Sequence, residues 1–513
     1  MCAAGESDEL GNDYIEAARV FHEITKHSYT SVRSTPHLLD WDNKPLPYKI
    51  YPGAASITLP RDLSLSSTPT LAALSSHVPP DFSASIDTAA LTRILFCSGG
   101  LTRHKSVGGD DYHFRAAASA GALYPIEMYV AAADVAGLET GLYHFSPGDL
   151  RMIGLRRGDW RSYLGRACGE RASMQNARAV IAISAIYWRS TWKYRARAYR
   201  YCYWDAGTML ANLLTAAATE EISAEVITAF EDPAVETLLG IDGEREGMVA
   251  LVALGHLDDV PPQSPAVAPL ALETIPLSSN EVAYPDLVKM HRESRLVSAD
   301  EVAHVSAAKV DPAIRPLSAT AVQVETIASE ESAGLGETIL RRGSSRAFAQ
   351  ETIPAQELAT IMAASSEHPQ ADFPPLTDTY LIVNAVDGLE PGAYYYDRRA
   401  RAFESLKSGN FRGEAGYLCL EQPLGMDCSA LVVYMADLQR VLPALGNRGY
   451  GDAHLEAGIL GGRAYLAAYS LGRGATGLTF YDDDTTKFFS PHAAGKSPLL
   501  MVALGVPRSR ARS

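Results

Sequence analysis

The chain carries one domain twice. Residues 135–143 read VAGLETGLY and residues 386–394 read VDGLEPGAY, so Val, Gly, Leu, Glu, Gly and Tyr recur at a shift of 251. The same shift lays the helix-like run from Trp204 (WDAGTMLANLLTAAA) over that from Leu455 (LEAGILGGRAYLAAY), which pairs Asp205 with Glu456. Strand-like apolar runs match in the same order: IEMYVAAAD with TYLIVNAVD, and AVIAISAIYW (179–188) with ALVVYM (430–435). GMVALVALG ending at Gly255 matches LLMVALG ending at Gly505, at a shift of 250. Five matches in one register imply a duplicated domain, with a period far longer than a solenoid's. Two copies of one fold commonly pack about a twofold axis, so the chain is expected to be a dimer written as one polypeptide.

This reading sets a first domain at 1–258, a linker at 259–333 and a second domain at 334–513. The linker carries the cluster VPPQSPAVAP and helix-like pieces around Pro285 to His304. A hydrophobic fraction of 47% with 20% charged residues is that of a folded chain, and a net charge of −15 speaks against a general nucleic-acid binder. Six cysteines occur singly, without the close pairs of a zinc ribbon or redox dithiol. The polar, acidic start and the absence of a membrane-length apolar run predict a cytoplasmic protein with no membrane partner.

Four segments carry a family resemblance. AASAGALYPIEMYV (117–130) resembles the flavin-facing segment of SagB-type dehydrogenases, members of the nitroreductase superfamily that oxidise azolines in modified peptides. RRGSSRAF (341–348) resembles the Arg-Arg-Ser segment with which that superfamily grips the phosphate of FMN, with Gly343 in place of the second Arg. In KYRARAYRYCYWDAG (193–207), Lys193 and Tyr194 stand where azoline dehydrogenases carry a Lys-Tyr catalytic pair. GRGATGLTF (472–480) is similar to the loop whose backbone amide faces flavin N5, with Gly474, Ala475, Thr476 and Gly477 as candidates.

The resemblance implies an α+β fold of two nitroreductase-like, FMN-binding domains forming an intramolecular pseudo-dimer. The residue chemistry is compatible with it. Guanidinium forks and a hydroxyl suit a phosphate dianion, which points to Arg341, Arg342, Ser344 and Arg346 at an expected helix start, and to the basic end at Arg508, Arg510 and Arg512. Small Ser119, Ala120, Gly121 and Ala122 would let backbone approach a flat ring, with Leu123, Tyr124 and Pro125 as apolar walls. Taken alone, RRGSSR reads sooner as a solvated basic loop, as most short Arg-rich runs are.

Checking each copy for each part predicts one flavin site per chain. The second copy has the Arg-Ser segment, the glycine loop and the basic end; the first has SAGALYP and Lys193-Tyr194. At complementary positions stand PPLTD (374–378), Ala444 and Leu445, EEISAEVITAF (220–230), HLDD after Gly255, and the weak counterpart KHSYTSVR (26–33).

The expected activity is that of an FMN-dependent oxidoreductase removing hydride from an azoline-type C–H, with Lys193 as base and Tyr194 orienting or relaying the proton. Alternatives are a reductase of nitro compounds or quinones fed by a nicotinamide donor, and a flavin-binding protein without turnover. The substrate would be a small molecule or modified peptide, and the chain a monomer acting as a pseudo-dimer. No metal is expected: Asp482, Asp483 and Asp484 read as an acidic turn, and GGDD (108–111) with His104 and His113 as a lid or surface loop. Asp205 and Glu456 are assigned a shared helix-start role.

Overall fold

Strand and helix periodicities alternate along each copy, and the computed structural model, which describes residues 11–34, 37–107, 110–270, 272–310, 317–318 and 321–508, turns them into two antiparallel sheets. The first runs in the order Ser56–Thr58, Arg151–Arg157, Gly141–Ser146, Ile126–Ala132, Ala179–Ile186, Glu246–Leu254, Ala224–Ile227. The second repeats that order with Val322–Gln323, Ala402–Ser408, Gly392–Asp397, Thr377–Val383, Ala430–Ala436, Ser497–Gly505 and Gly474–Leu478. Every residue of Ala179–Ile186 and Glu246–Leu254 is buried, which is why these strands read as continuous apolar runs rather than alternating ones. The expected α+β architecture is the observed one.

The recurrent GLE motif has a local cause. Gly137 and Gly388 turn the chain at φ +86 and +92, where a side chain is strained. The motif tyrosine then closes the turn: Tyr143 donates its hydroxyl to the Glu139 carbonyl at 2.6 Å, and Tyr394 to that of Glu390 at 2.7 Å.

Two long helices, Ala198–Thr219 and Arg448–Ser470, form the junction between the copies and are buried over nearly their whole surface. They meet at repeat-related glycines. A Cβ on Gly207 would lie 2.5 Å from the Leu455 carbonyl oxygen, and one on Gly458 2.7 Å from that of Trp204. The pseudo-twofold axis therefore passes where both helices shed their side chains. Reciprocal ion pairs repeat the symmetry: Asp482 of the second copy binds Arg197 at 2.9 Å and Arg200 at 2.8 Å, while Asp232 of the first binds Arg448.

These pairs correct two expectations. Asp482 is no solvated turn; it opens the helix Asp482–Phe489 and is fully buried. KHSYTSVR is no counterpart of the Arg-Ser segment: Lys26 pairs with neighbouring Glu23 and, across to the second copy, with Asp483, as Arg33 does with Glu421. The true counterpart follows helix Thr70–Ser75. Thr70 donates its N–H to the Ala333 carbonyl and Leu335 donates to that of Thr68, which relates this helix to Leu335–Arg341.

Within the linker, Pro285–Ser294 and Ala299–Ala307 are helical, and Val322–Gln323 adds an edge strand to the second sheet. Cys97, Cys168, Cys202, Cys419 and Cys428 are buried and unbridged; Cys2 lies outside the described residues. Among the described residues no helix is long and apolar enough to cross a membrane.

Candidate functional site

A cavity of about 870 Å³ opens between the copies on one side of the central helices. Its walls bring together parts that are far apart in sequence. From the first copy come Ser119, Ala120, Gly121, Ala122, Tyr124, Lys193 and Tyr194; from the second, Arg342, Ser344, Arg346, Thr476 and Gly477. Other expected residues lie elsewhere. Leu123 points away into a small cluster with Trp188, Trp192 and Leu277. Arg341 is exposed and pairs with Glu337, and Ala475 is buried behind the wall, its carbonyl accepting the Ser345 N–H. Arg508 is exposed and donates its backbone N–H to the Ala347 carbonyl, and Arg510 and Arg512 fall outside the described residues.

The 119–124 loop is built under strain. Gly121, Ala122 and Tyr124 adopt φ of +65, +55 and +49, and such backbones persist only where their surroundings hold them. The holder is Asp205, whose carboxylate accepts the Ser119 hydroxyl at 2.5 Å and the Ala120 N–H at 2.9 Å. Asp205 sits inside a helix, so the helix-start role is wrong. The sharing between copies stands: Glu456 accepts the Leu376 N–H at 2.8 Å and contacts His368 at 2.9 Å. Burial pushes the Asp205 carboxyl up to about 7, against those two hydrogen bonds.

Lys193 and Tyr194 end the helix Tyr187–Tyr194, which is clamped from outside. Trp192 donates to the Asp40 carbonyl at 2.8 Å, Trp188 to the Ser278 hydroxyl at 2.8 Å, and Arg189 to buried Glu127. The pair abuts the loop: a Cβ on Gly121 would lie 2.6 Å from the Tyr194 hydroxyl and 3.2 Å from Lys193 Nζ. Burial, then Arg346 and Lys44, lowers the Lys193 ammonium, which favours the neutral amine. Burial, then Tyr201 and Asp205, raises the Tyr194 hydroxyl and keeps it protonated.

The Arg-Ser segment leaves the C-terminus of Leu335–Arg341 rather than starting a helix. Arg342 is buried and largely spent, giving Nε to the Ala116 carbonyl at 2.6 Å and Nη2 to that of Arg115 at 2.9 Å. It thus ties the second copy to the loop of the first. Ser344 lies 3.3 Å from the Tyr465 hydroxyl, to which Gly477 also donates its N–H.

The pseudo-equivalent position is closed. Sheet register puts Val226 where Gly477 stands, since they oppose Val252 and Val502. Val226 donates its N–H to Gln370 and accepts from Asp372, whose carboxylate takes the N–H groups of Thr228 and Ala229 at 2.9 and 3.0 Å. Residues 370–372 of the second copy thus fill the place that the open site leaves free.

Sequence reasoning missed part of the wall. Tyr201, Trp204, Asp205 and Thr208 line the cavity at the i, i+3, i+4, i+7 spacing of one helix face, a signal legible in the sequence. Arg103 and Lys105 line it from the hairpin Leu101–Val107/Asp110–Arg115, in which His104 stacks on His113 with ring centroids 4.9 Å apart. The expected lid is this hairpin, with Gly108 and Gly109 outside the described residues. Its signal was a change of repeat shift. Thr88 maps to Ala355 at 267 and Ile126 to Thr377 at 251, so the first copy carries 16 extra residues between them.

The wall holds five cationic side chains (Arg103, Lys105, Lys193, Arg342, Arg346) and one carboxylate, Asp205. That balance suits an anion, and Gly121, without a side chain, lets the Lys-Tyr pair stand against the loop. The residues fit a flavin mononucleotide: donors for a phosphate from the second copy, a small-residue floor from the first.

The sequence profile described as the nitroreductase family matches residues 82–256 and 339–506. A Methanocaldococcus jannaschii protein whose name places it among nitroreductases is 29% identical over 166 residues, 32% of this chain and 79% of its own. A crystal structure from Anabaena variabilis, named in the same way, superposes with a TM-score of 0.75 at 28% identity, covering 96% of this chain and 99% of its own. One from Ralstonia eutropha covers 44% of this chain and 97% of its own at 21% identity, with a TM-score of 0.33.

Proposed function

The chain belongs to the nitroreductase family, and from that premise we propose that it is an FMN-dependent oxidoreductase with one flavin site per chain, acting on an azoline-type C–H. The observation that carries this is the cavity that Lys193 and Tyr194 of one copy line together with Arg346, Ser344 and Gly477 of the other. Bound FMN would supply hydride acceptance, chemistry that no side chain here offers.

The chain's own residues do the rest. Ser344 and Arg346 bind the phosphate, and Arg342 fixes the loop that forms the floor. Ser119, Ala120 and Gly121 present backbone to the ring, held by Asp205. Lys193, its ammonium destabilised by burial and by Arg346, takes the proton from the substrate carbon at Nζ. Tyr194, kept protonated, donates toward the substrate nitrogen and orients it.

The test is Lys193→Ala. Azoline oxidation should fall by two orders of magnitude or more, while flavin content and absorption stay unchanged. Loss of flavin would reassign Lys193 to binding. A second reading, reduction of nitro compounds or quinones by a nicotinamide donor, is favoured by the names of the Methanocaldococcus and Anabaena relatives. It needs no base, so full turnover of Lys193→Ala with such a donor would select it.

A further inference from the structure

A phosphate dianion in this cavity needs more than the Arg-Ser segment offers. Arg341 faces outward to Glu337, and Arg342 has given Nε and Nη2 to backbone carbonyls. Arg346 is then the segment's remaining guanidinium, beside the Ser344 hydroxyl. Between them stands Gly343, with no side chain to contribute.

The space that a side chain at 343 would enter is already claimed by the other copy. A Cβ there would lie 3.9 and 4.0 Å from Nη2 and Nη1 of Arg103, and 3.7 Å from the Tyr469 hydroxyl. Arg103 comes from the hairpin that only the first copy carries, and its guanidinium stacks over Phe114 at 4.5 Å from the ring centroid. Among the described residues no carboxylate pairs with it. Its charge also bears on Arg342, whose guanidinium is pushed down by burial first and by Arg103 as well. Two guanidinium groups held together without a carboxylate are stabilised when an anion joins them.

We infer that Arg103 is a phosphate ligand of the flavin site, supplied in trans by the first-copy hairpin to complete the grip interrupted at Gly343. The inserted hairpin is then part of the cofactor site rather than a lid. This rests on the flavin reading above and adds to it a further residue that discriminates FMN from riboflavin.

The experiment titrates the full-length, flavin-depleted chain with FMN and, separately, with riboflavin, following flavin fluorescence. Arg103→Ala should weaken FMN binding by about ten- to a hundredfold, the usual worth of a charge-assisted hydrogen bond, and leave riboflavin binding unchanged. Arg103→Lys should fall between. Gly343→Arg placed in the Arg103→Ala chain should restore much of the loss, because an added Cβ meets no atom nearer than 3.7 Å and starts beside the place that Arg103 leaves. The same Gly343→Arg in the unsubstituted chain should not strengthen binding, since it adds a third guanidinium beside Arg103 and Arg342. Unchanged FMN affinity in Arg103→Ala, or equal losses for FMN and riboflavin, would overturn the assignment. Arg103 is exposed on a hairpin, so its variants should keep the melting profile of the parent. If the unsubstituted chain bound neither flavin, the proposed function itself would fall, and this inference with it.

Discussion

Gly121→Ala separates what the 119–124 loop does from how it is held. Residue 121 sits at φ +65, where an L side chain costs about 1–2 kcal/mol. The added methyl would also start 2.6 Å from the Tyr194 hydroxyl and 3.2 Å from Lys193 Nζ. An ordinary C···O contact is roughly 3.3 Å, so the hydroxyl must retreat by about 0.7 Å. Displacements of that size at reacting groups lower turnover by about ten- to a hundredfold. Gly53 provides the control: it has φ +73, with nothing within 4 Å of a Cβ. Gly53→Ala should show the same loss of stability in urea unfolding and parental turnover. Gly121→Ala should match it in stability, retain flavin, and lose turnover. Equal turnover in the two variants would refute the claim that Gly121 places the Lys-Tyr pair.

Asp482→Asn would leave Arg197 and Arg200 buried without their carboxylate, and should cost about 3–5 kcal/mol in urea unfolding, whereas Asp483→Asn, which breaks an exposed pair with Lys26, should cost less than about 1 kcal/mol. Burial alone would raise the Asp482 carboxyl, but Arg197 and Arg200 outweigh it and hold it below the usual range. Its stabilisation is therefore present above the unfolded carboxylate pKa and lost as pH falls through the depressed one. Asp205 behaves oppositely. With its carboxyl raised to about 7, its favourable contribution is complete below pH ~4 and is lost as pH rises through 7. Asp205→Asn should accordingly flatten the decline in stability between pH ~4 and 7, and an unchanged slope would exclude Asp205 as its source. Flavin titration should saturate at one FMN per chain, because residues 370–372 fill the related position. Substitutions at Lys26 and Ser28 should leave flavin content intact, while Ser344→Ala and Arg346→Ala lower it; a second equivalent of FMN would contradict this.

The duplication, the α+β class and most of the site were legible in the sequence because they depend on local patterns. A repeat shift survives wherever both copies need the same turn, as at Gly137 and Gly388, or the same close helix crossing, as at Gly207 and Gly458. Short segments such as SAGALYP and RRGSSR keep their chemistry because backbone approach and charge are properties of consecutive residues. What they touch is another matter.

Only the tertiary structure decided that Arg342 spends its guanidinium on the carbonyls of Arg115 and Ala116, 226 residues or more away in sequence. It also decided that the Asp205 carboxylate holds a strained loop, and that Asp482 lies buried between two arginines. The loss of the second site was legible, but what fills its place was not, because that follows from Asp372 meeting Thr228 and Ala229 across the junction. The physical reason is common to all four: hydrogen-bond and charge satisfaction inside a protein is settled by whichever groups the fold brings within about 3 Å, and that pairing is non-local. Sequence determined which groups were available, and the packing of the two copies determined which remained free to meet a ligand.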